Sequence, residues 1–166
     1  LEFRRVLFRS LDLFELFRGE VETHGAALNA GLLQLEANVA DAAPIAALMR
    51  AAHSIKGAAR VVGIEVVVSL AHQMEDALVR VQRGQEACTA ARVDQLLQAT
   101  DLLTQLTALR DGDVAAWSSE RAADINALVT ALSAPADAAP SAATPSNQPP
   151  SVHAPKADVG HNDIVP

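Results

Sequence analysis

Apolar residues recur at intervals of three, four and seven along most of the chain, and this spacing predicts α-helices. The first helix is predicted over residues 11–36, with Ser10 available as its N-cap. The second is predicted over residues 41–59, where Asp41 provides the cap and Pro44 is tolerated in the first turn. Two amphipathic helices therefore occupy the first third of the chain.

The same spacing continues through the middle of the chain. A connection that closes on Gly63 leads to a third helix, which should stop at Gly84 because glycine favours helix C-termini. A fourth helix is predicted over residues 89–110, and a fifth segment over residues 113–133 could pack across the end of the bundle or stand partly apart. The residues predicted to face the core include Leu13, Phe17, Leu28, Leu32 and Leu35 in the first helix, Ile45, Leu48, Met49, Ala52 and Ile55 in the second, and Val67, Leu70, Ala71, Met74, Leu78 and Val81 in the third.

Short connections between helices of similar length favour an up-down arrangement, in which sequence neighbours are also neighbours in space. The predicted fold is therefore all-α, an antiparallel four-helix bundle over residues 11–112, and its second and third helices face each other. Composition agrees, since half of the residues are apolar, with only four Phe, one Trp and no Tyr.

Both ends of the chain differ from this pattern. Residues 1–10 lack an initiator Met and resemble translated adaptor sequence or an unstructured segment, so the fold is predicted without them. Residues 134–166 are rich in Pro, Ala and Ser, which predicts a disordered linker. A linker at this end suggests the N-terminal piece of a longer protein.

Charge and composition narrow the classes of partner. A formal net charge of −7 argues against binding nucleic acid, which requires clustered Lys and Arg, and favours a protein partner. No run approaches the roughly 18 apolar residues of a membrane span, which argues against membrane insertion and favours the cytoplasm. The single cysteine, Cys88, is predicted to be a structural or surface thiol.

One face of the second helix carries residues suited to phosphate chemistry. His53, Lys56, Gly57 and Arg60 are separated by three, four and seven positions and so share a face beside the apolar stripe. The imidazole can keep its body against the bundle while its outer nitrogen meets solvent, and the ammonium of Lys56 can follow a phosphoryl group. Gly57 costs about 1 kcal/mol of helix propensity relative to Ala, a cost offset if it leaves room for docking. Arg60, Ala52 and Ser54 are the candidates for that docking face.

The third helix offers a supporting carboxylate. His72 and Glu75 lie three residues apart and share a face. Glu75 could accept a hydrogen bond from one nitrogen of His53, which would fix the tautomer and make the far nitrogen more nucleophilic. His72 is predicted to orient Glu75 or the incoming phosphate. Taken singly, each of these residues could equally be an ordinary solvated surface residue.

Two other functions compete with phosphate transfer. A metal-binding bundle could use His53, His72 and Glu75, but the first and fourth helices offer only His24 and Asp101 as further ligands. A pure docking module would bind a partner through the His53 face without receiving phosphate. Retention of the histidine with its lysine and carboxylate favours the phosphate carrier.

The stretch from Arg50 to Gly84 contains His-Ser-Ile-Lys-Gly and, on the next helix, His-Gln-Met-Glu. It closely resembles the histidine phosphotransfer (HPt) domain of CheA-type chemotaxis kinases, and the similarity extends from about Leu11 to Leu109. In that family the motif histidine accepts phosphate and a glutamate of the next helix hydrogen-bonds the ring. The resemblance therefore implies that His53 is the phosphoacceptor, supported by Lys56, Gly57, Glu75 and His72.

The resemblance also implies partners outside this chain. A separate ATP-binding domain of a histidine kinase would phosphorylate His53, commonly across a dimer, and an aspartate of a response regulator receiver domain would take the phosphate. ATP and Mg²⁺ would belong to those partners, with no cofactor or metal in this chain, which would itself be a carrier. The run from Ala58 to Gly63 departs from the Gly-rich chemotaxis pattern and resembles the Wsp-type hybrid kinases, which signal to a diguanylate cyclase.

Overall fold

The structure, a computed structural model, describes the backbone of residues 2–135 and the side chains of residues 13–110 and 112–135. Over this range the chain forms helices and turns and no strand, which confirms the all-α prediction. The helices are α1 (Glu2–Ala37), α2 (Ile45–Val62), α3 (Glu65–Gln82), α4 (Ala90–Gln105), α5 (Val114–Glu120) and α6 (Ala122–Ser133).

Helices α1 to α4 build a bundle around one apolar core. Helix α1 packs against α2 and α4, and α2 packs against α3, while α6 contacts both α3 and α4. Burying the apolar stripe of each helix against its neighbours supplies most of the folding free energy in such a bundle. The largest fully buried apolar side chains are Phe17, Leu28, Leu32, Leu35, Leu48, Ile55, Leu70, Met74, Leu78, Leu96 and Leu103.

A few predicted core positions lie at the edge of this core. Leu13 is 42% exposed, and Met49 and Val81 are only partly buried. Ala51 and Ala77 are buried instead. The apolar spacing gives the direction of each stripe, but its width depends on how closely the neighbouring helices approach.

The first helix begins earlier than predicted. Its backbone is helical from Glu2 rather than from Leu11, so the alternative of an unstructured segment over residues 2–10 is wrong. This stretch contains neither Pro nor Gly, and adding residues to an existing helix costs little once the first turn has formed. Residue 1 lies outside the described range.

The second helix begins later than predicted, at Ile45. The Asp41 carboxylate accepts a hydrogen bond from the amide of Ala43 at 3.0 Å, and so closes the preceding turn without capping the helix. Pro44 explains the shift, because a proline disfavours helical geometry in the residue before it. Helix α4 begins close to its predicted start at residue 89, where the Thr89 hydroxyl caps it by accepting from the amide of Arg92 at 3.2 Å.

Gly63 reverses the chain between α2 and α3. Its φ of 74° lies in the left-handed region, which favours glycine. The amide of Ile64 donates to the carbonyl of Ala59 at 3.0 Å and that of Gly63 to the carbonyl of Arg60, so the helix ends in a Schellman motif. The chain turns within two residues, and positions about ten residues before and after Gly63 therefore come to lie side by side.

The segment after the bundle is docked and does not stand apart. Helix α4 ends at Gln105, short of the predicted residue 110, and gives way to a 3-10 turn over Leu106–Ala108. Helix α6 then lies against α3 and α4 and buries Ile125, Leu128 and Leu132. Helix α6 thereby covers the α3–α4 side of the bundle.

Two further predictions concern the C-terminal end of the chain and insertion into a membrane. The disordered linker falls on residues 134–166, of which 136–166 lie outside the described residues. Within the part that the structure describes, no helix combines the length and the apolar composition needed to cross a membrane.

Candidate functional site

His53 and Glu75 meet across the α2–α3 interface. The Nδ1 atom of His53 lies 3.0 Å from Oε1 of Glu75. His53 lies nine residues before the end of α2 at Val62, and Glu75 lies ten residues after the start of α3 at Glu65. Because the rise per residue is the same in both antiparallel helices, the two side chains lie at nearly the same height. The contact predicted from the sequence is present.

This hydrogen bond fixes the state of the imidazole ring. An ionised carboxylate can only accept hydrogen bonds, so Nδ1 of His53 must carry the proton that is shared with Glu75. In the neutral ring Nε2 then holds the free lone pair. The His53 side chain is 67% exposed, which leaves that lone pair open to a partner.

Lys56 makes a contact that the sequence did not predict. Its ammonium binds the second oxygen of Glu75, Oε2, through a short hydrogen bond. The side chains of Lys56 and Glu75 are only 17% and 19% exposed, so the pair is shielded from solvent on most sides. One carboxylate therefore holds both the imidazole and the ammonium of α2.

The charge of Glu75 follows from these contacts. Burial by itself would raise the pKa of this carboxyl group, but the hydrogen bonds and positive charges of Lys56 and His53 outweigh burial. The net result is a pKa below the ordinary value for glutamate. Glu75 is thus ionised at neutral pH, as an acceptor of the Nδ1 proton must be.

His72 does not contact Glu75 in this structure. Its Nε2 atom lies 3.3 Å from the carboxylate of Asp76, the residue that follows Glu75 in α3. The side chains of His72 and Asp76 are both about half exposed. The i, i+4 spacing of His72 and Asp76 was visible in the sequence, but the prediction overlooked Asp76. A role for His72 in orienting Glu75 has no hydrogen bond to support it, and a role toward an incoming phosphate remains a prediction.

Two of the three residues predicted to form a docking face are accessible to solvent. Arg60 is exposed, and Ser54 is partly exposed beside His53. Ala52 is wrong as a docking residue, because it is completely buried in the core. It points in the same direction as Leu48 and Ile55, toward the bundle, since residues three and four apart share a helix face.

An apolar groove runs beside the histidine between α1 and α2. It encloses about 350 Å³, and its lining includes Ser54 and Gly57 from the predicted face. Leu16 and Val61, which also line it, are 63% and 66% exposed. Large apolar side chains exposed in one patch mark an interaction surface.

Gly57 lies on this surface without any internal reason to be glycine. Apart from its chain neighbours and the nearby backbone of α2, a methyl group added at Gly57 would meet no atom within 4 Å. Gly31 is different, because a methyl group there would clash with Leu48 at 2.7 Å, so glycine permits close packing of α1 on α2. The open space at Gly57 faces outward, toward any molecule that approaches His53.

The alternative of a metal site gains no support from the described residues. Among them no group of three or more His, Cys, Asp or Glu side chains is arranged to hold a metal ion. His72 pairs with Asp76, and His24 pairs with Glu20 on α1 at 3.2 Å. Neither is directed at the His53–Glu75 pair.

The amino-acid sequence is similar to those of known chemotaxis proteins. The chain is 32% identical over 120 residues to the chemotaxis protein CheA of Listeria monocytogenes, covering 71% of this chain and 19% of that protein. It is 36% identical over 102 residues to the chemotaxis protein CheA of Rhizobium meliloti, covering 61% of this chain and 14% of that protein. The chain thus spans less than a fifth of the length of these relatives.

A solved structure shares the fold. The phosphorylated P1 domain of CheA3 from R. sphaeroides, crystallised in complex with CheY6, superposes with a TM-score of 0.61 at 28% identity. The match covers 74% of this chain and 96% of that chain. The model of the Hpt domain family matches residues 12–112, which is more than half of the sequence and contains both histidine motifs. The chain therefore belongs to the Hpt domain family of phosphotransfer domains, which includes the P1 domains of CheA proteins.

Proposed function

We propose that His53 accepts a phosphoryl group on Nε2 and passes it to an aspartate of a response regulator. The observation that carries this proposal is the hydrogen bond from Nδ1 to Glu75 on a ring that is 67% exposed. It combines a fixed tautomer, an outward lone pair and free access, the three conditions that a phosphoacceptor nitrogen must meet.

In the first step the Nε2 lone pair attacks the γ-phosphorus of ATP held by a kinase domain. A P–N bond forms, the bond to the β,γ-bridging oxygen breaks, and ADP leaves with its electrons. The proton on Nδ1 stays shared with Glu75, whose carboxylate stabilises the positive charge that the ring acquires. In the second step an aspartate carboxylate attacks the same phosphorus, the P–N bond breaks, and Nε2 recovers its lone pair.

Lys56 is the proposed partner of the phosphoryl oxygens. In the structure its ammonium is held by Glu75, one helical turn from His53. A phosphoryl group on Nε2 brings new anionic oxygens close to this ammonium, which as a flexible point charge can follow them. Glu75 then keeps its bond to Nδ1, so that the site remains ordered in both states.

The groove between α1 and α2 is the proposed seat of the receiver domain. It adjoins His53, it exposes Leu16 and Val61, and Gly57 leaves space on the same surface. The P1 domain of CheA3, which resembles this chain, was crystallised bound to CheY6. An aspartate on a protein docked in this groove could reach the exposed Nε2 of His53.

The wider setting is also a proposal. The kinase domain that supplies the phosphoryl group would belong to the same parent protein, act across a dimer in the cytoplasm, and provide ATP and Mg²⁺. The Ala58 to Gly63 run of this chain supports a Wsp-type parent whose regulator is a diguanylate cyclase. Arg60 and Val61 of this run are exposed beside the site, where a partner can contact them.

The test is phosphorylation of the chain by a CheA-type kinase core with radiolabelled ATP. Wild type should acquire a label that is stable in base and lost in acid, and His53→Gln should acquire none. The matched control is His24→Gln, which removes a histidine that pairs with Glu20 on α1 and should retain labelling. Unchanged labelling of His53→Gln would overturn the proposal.

A docking module without phosphate transfer is the remaining alternative, and the same variants separate it. If the alternative holds, His53→Ala should bind the receiver as tightly as wild type does, and wild type should carry no label. If His53 is the carrier, the unlabelled His53→Ala variant should still bind the receiver through the groove but transfer nothing.

A further inference from the structure

A second polar cluster lies away from the His53 site, where α3, α4 and α6 converge. Glu86, which follows the turn at Gly84, has a side chain only 1% exposed. Its Oε2 accepts from Nε of Arg80 at 2.8 Å, and its Oε1 accepts from Nε of Arg92. The Arg92 side chain is completely buried. A single carboxylate thus joins the guanidinium groups of two helices.

Both guanidinium groups continue to the C-terminal end of α6. Arg80 donates to the carbonyl of Leu132, and Arg92 donates to the carbonyls of Ala131 at 3.1 Å and Ala134. Arg92 also donates to the side-chain carbonyl of Gln95 at 2.7 Å. Nearly every donor of the buried guanidinium group is therefore used.

These arginines bind the C-terminal carbonyls of α6, which has no basic side chain of its own near them. Its last turn contains no basic residue, although the final carbonyls of a helix have no partner within the helix and carry partial negative charge. Arg80 and Arg92 supply both the missing donors and the positive charge from neighbouring helices. Glu86 balances one of the two positive charges, that of the buried Arg92 or the partly exposed Arg80, and the end of α6 offsets the other.

We propose that Arg80, Glu86 and Arg92 form a latch that fastens α6 as a separately releasable strap on the bundle. Ile125, Leu128 and Leu132 of α6 join the apolar core where α6 packs on α3 and α4, whereas α2 packs against α1 and α3. Opening the latch should therefore free α6 without unfolding α2 and α3. Glu86 is the central element, since it is the group that ties the two arginines together.

The latch sets the point at which the chain leaves the bundle. With α6 fastened, Ala134 is the last of the described residues that a side chain of the bundle holds, through its carbonyl. With α6 released, that point moves back toward α5, whose Trp117 is buried and donates from Nε1 to the side-chain carbonyl of Gln105 on α4. Because effective concentration depends on tether length, release would change how readily a domain linked downstream reaches the bundle. Only this consequence rests on the proposed function.

The test is amide hydrogen exchange of the full chain in wild type and Glu86→Gln. The amides of residues 122–134 should exchange about tenfold faster in the variant, whereas those of α2 and α3 should stay within about twofold of wild type. Arg92→Lys should give an intermediate rise, since one ammonium keeps the charge but cannot bond Glu86, Ala131 and Ala134 together. The matched controls, Glu120→Gln and Arg83→Lys, change exposed residues and should leave exchange unaltered.

Two results would overturn the latch. Equal acceleration in α2, α3 and α6 would mean that the network stabilises the whole domain and that α6 does not open alone. Unchanged exchange in α6 would mean that its apolar contacts suffice to hold it. If Glu86→Gln does not fold, Arg80→Lys and Arg92→Lys provide the same comparison between α6 and α2.

Discussion

Glu75 is shared by two residues of α2, and this sharing makes the site sensitive to acid. Its carboxylate holds Nδ1 of His53 and the ammonium of Lys56, and these contacts lower its pKa in the folded state despite burial. A carboxyl group whose folded pKa is lowered stabilises the fold above its unfolded pKa. That contribution is lost as the pH falls through the folded value.

Glu75→Gln should therefore be more destabilising near neutrality than in acid. The difference in free energy of unfolding between wild type and variant should shrink as the pH falls from neutrality through the lowered folded pKa of Glu75, because the carboxyl group then becomes protonated in both the folded and the unfolded wild type. Urea unfolding at several pH values measures it. A difference that stays constant with pH would show that the ionised carboxylate contributes nothing to stability. Asp76→Asn, whose carboxylate is about half exposed, is the matched control.

The sequence was enough to identify His53 and Glu75 but not every contact around them. Helical spacing placed both on facing helices, and their contact is present. The ion pair of Lys56 with Glu75 was missed because spacing defines a face and not the direction in which a long side chain extends. Ala52 was misplaced because it borders the face of His53 while its own side chain points into the core.

At the scale of the helices, the connection between α2 and α3 fixes the site. The Schellman motif at Gly63 sets both the sharpness of the turn and the register of the helices. The sequence predicted a connection that closes on glycine here, and the φ of 74° is the physical reason for that residue. The other helix ends were less predictable, as α2 begins at Ile45 and α4 ends at Gln105.

Gly63→Ala should lower the free energy of unfolding by about 1 kcal/mol, because a side chain is strained in the left-handed region. Gly19→Ala is the matched control of opposite sign. Gly19 lies within α1, where an added methyl group meets nothing within 4 Å, and alanine should stabilise the helix by up to about 1 kcal/mol. Urea unfolding of both variants measures the two effects. Equal stability of Gly63→Ala and wild type would contradict the assigned role of the turn.

At the scale of the whole molecule, the surface beside His53 that we propose as the docking site carries features that do not stabilise the domain. Gly57 weakens α2 and has no neighbour that requires it, while Leu16 and Val61 remain exposed. The α3–α4 side of the bundle is covered by α6, which is held by Arg80 of α3 and the buried Arg92 of α4. The molecule therefore has one covered side and one open side, and His53 lies on the open side.

Gly57→Ala should separate domain stability from docking. The variant should be more stable by about 0.5–1 kcal/mol, since alanine is the better helix former and nothing obstructs its methyl group. Its affinity for the receiver should nevertheless fall about tenfold, because an added methyl group overpacks a close contact. Calorimetric titration and urea unfolding measure the two quantities. Gly19→Ala should stabilise the domain without weakening binding, and unchanged affinity of Gly57→Ala would place docking elsewhere.

The sequence by itself determined the helices, their apolar faces and the residues of the phosphotransfer motif. These features depend on interactions between residues three, four or seven positions apart, which a linear pattern records directly. The tertiary structure decided the sharing of Glu75 by His53 and Lys56, the burial of Ala52, and the docking of α6 through Arg80, Glu86 and Arg92. Each of these depends on which helices approach one another and how closely. The partner of a polar side chain is therefore fixed only when the helices have packed and have displaced water from around it.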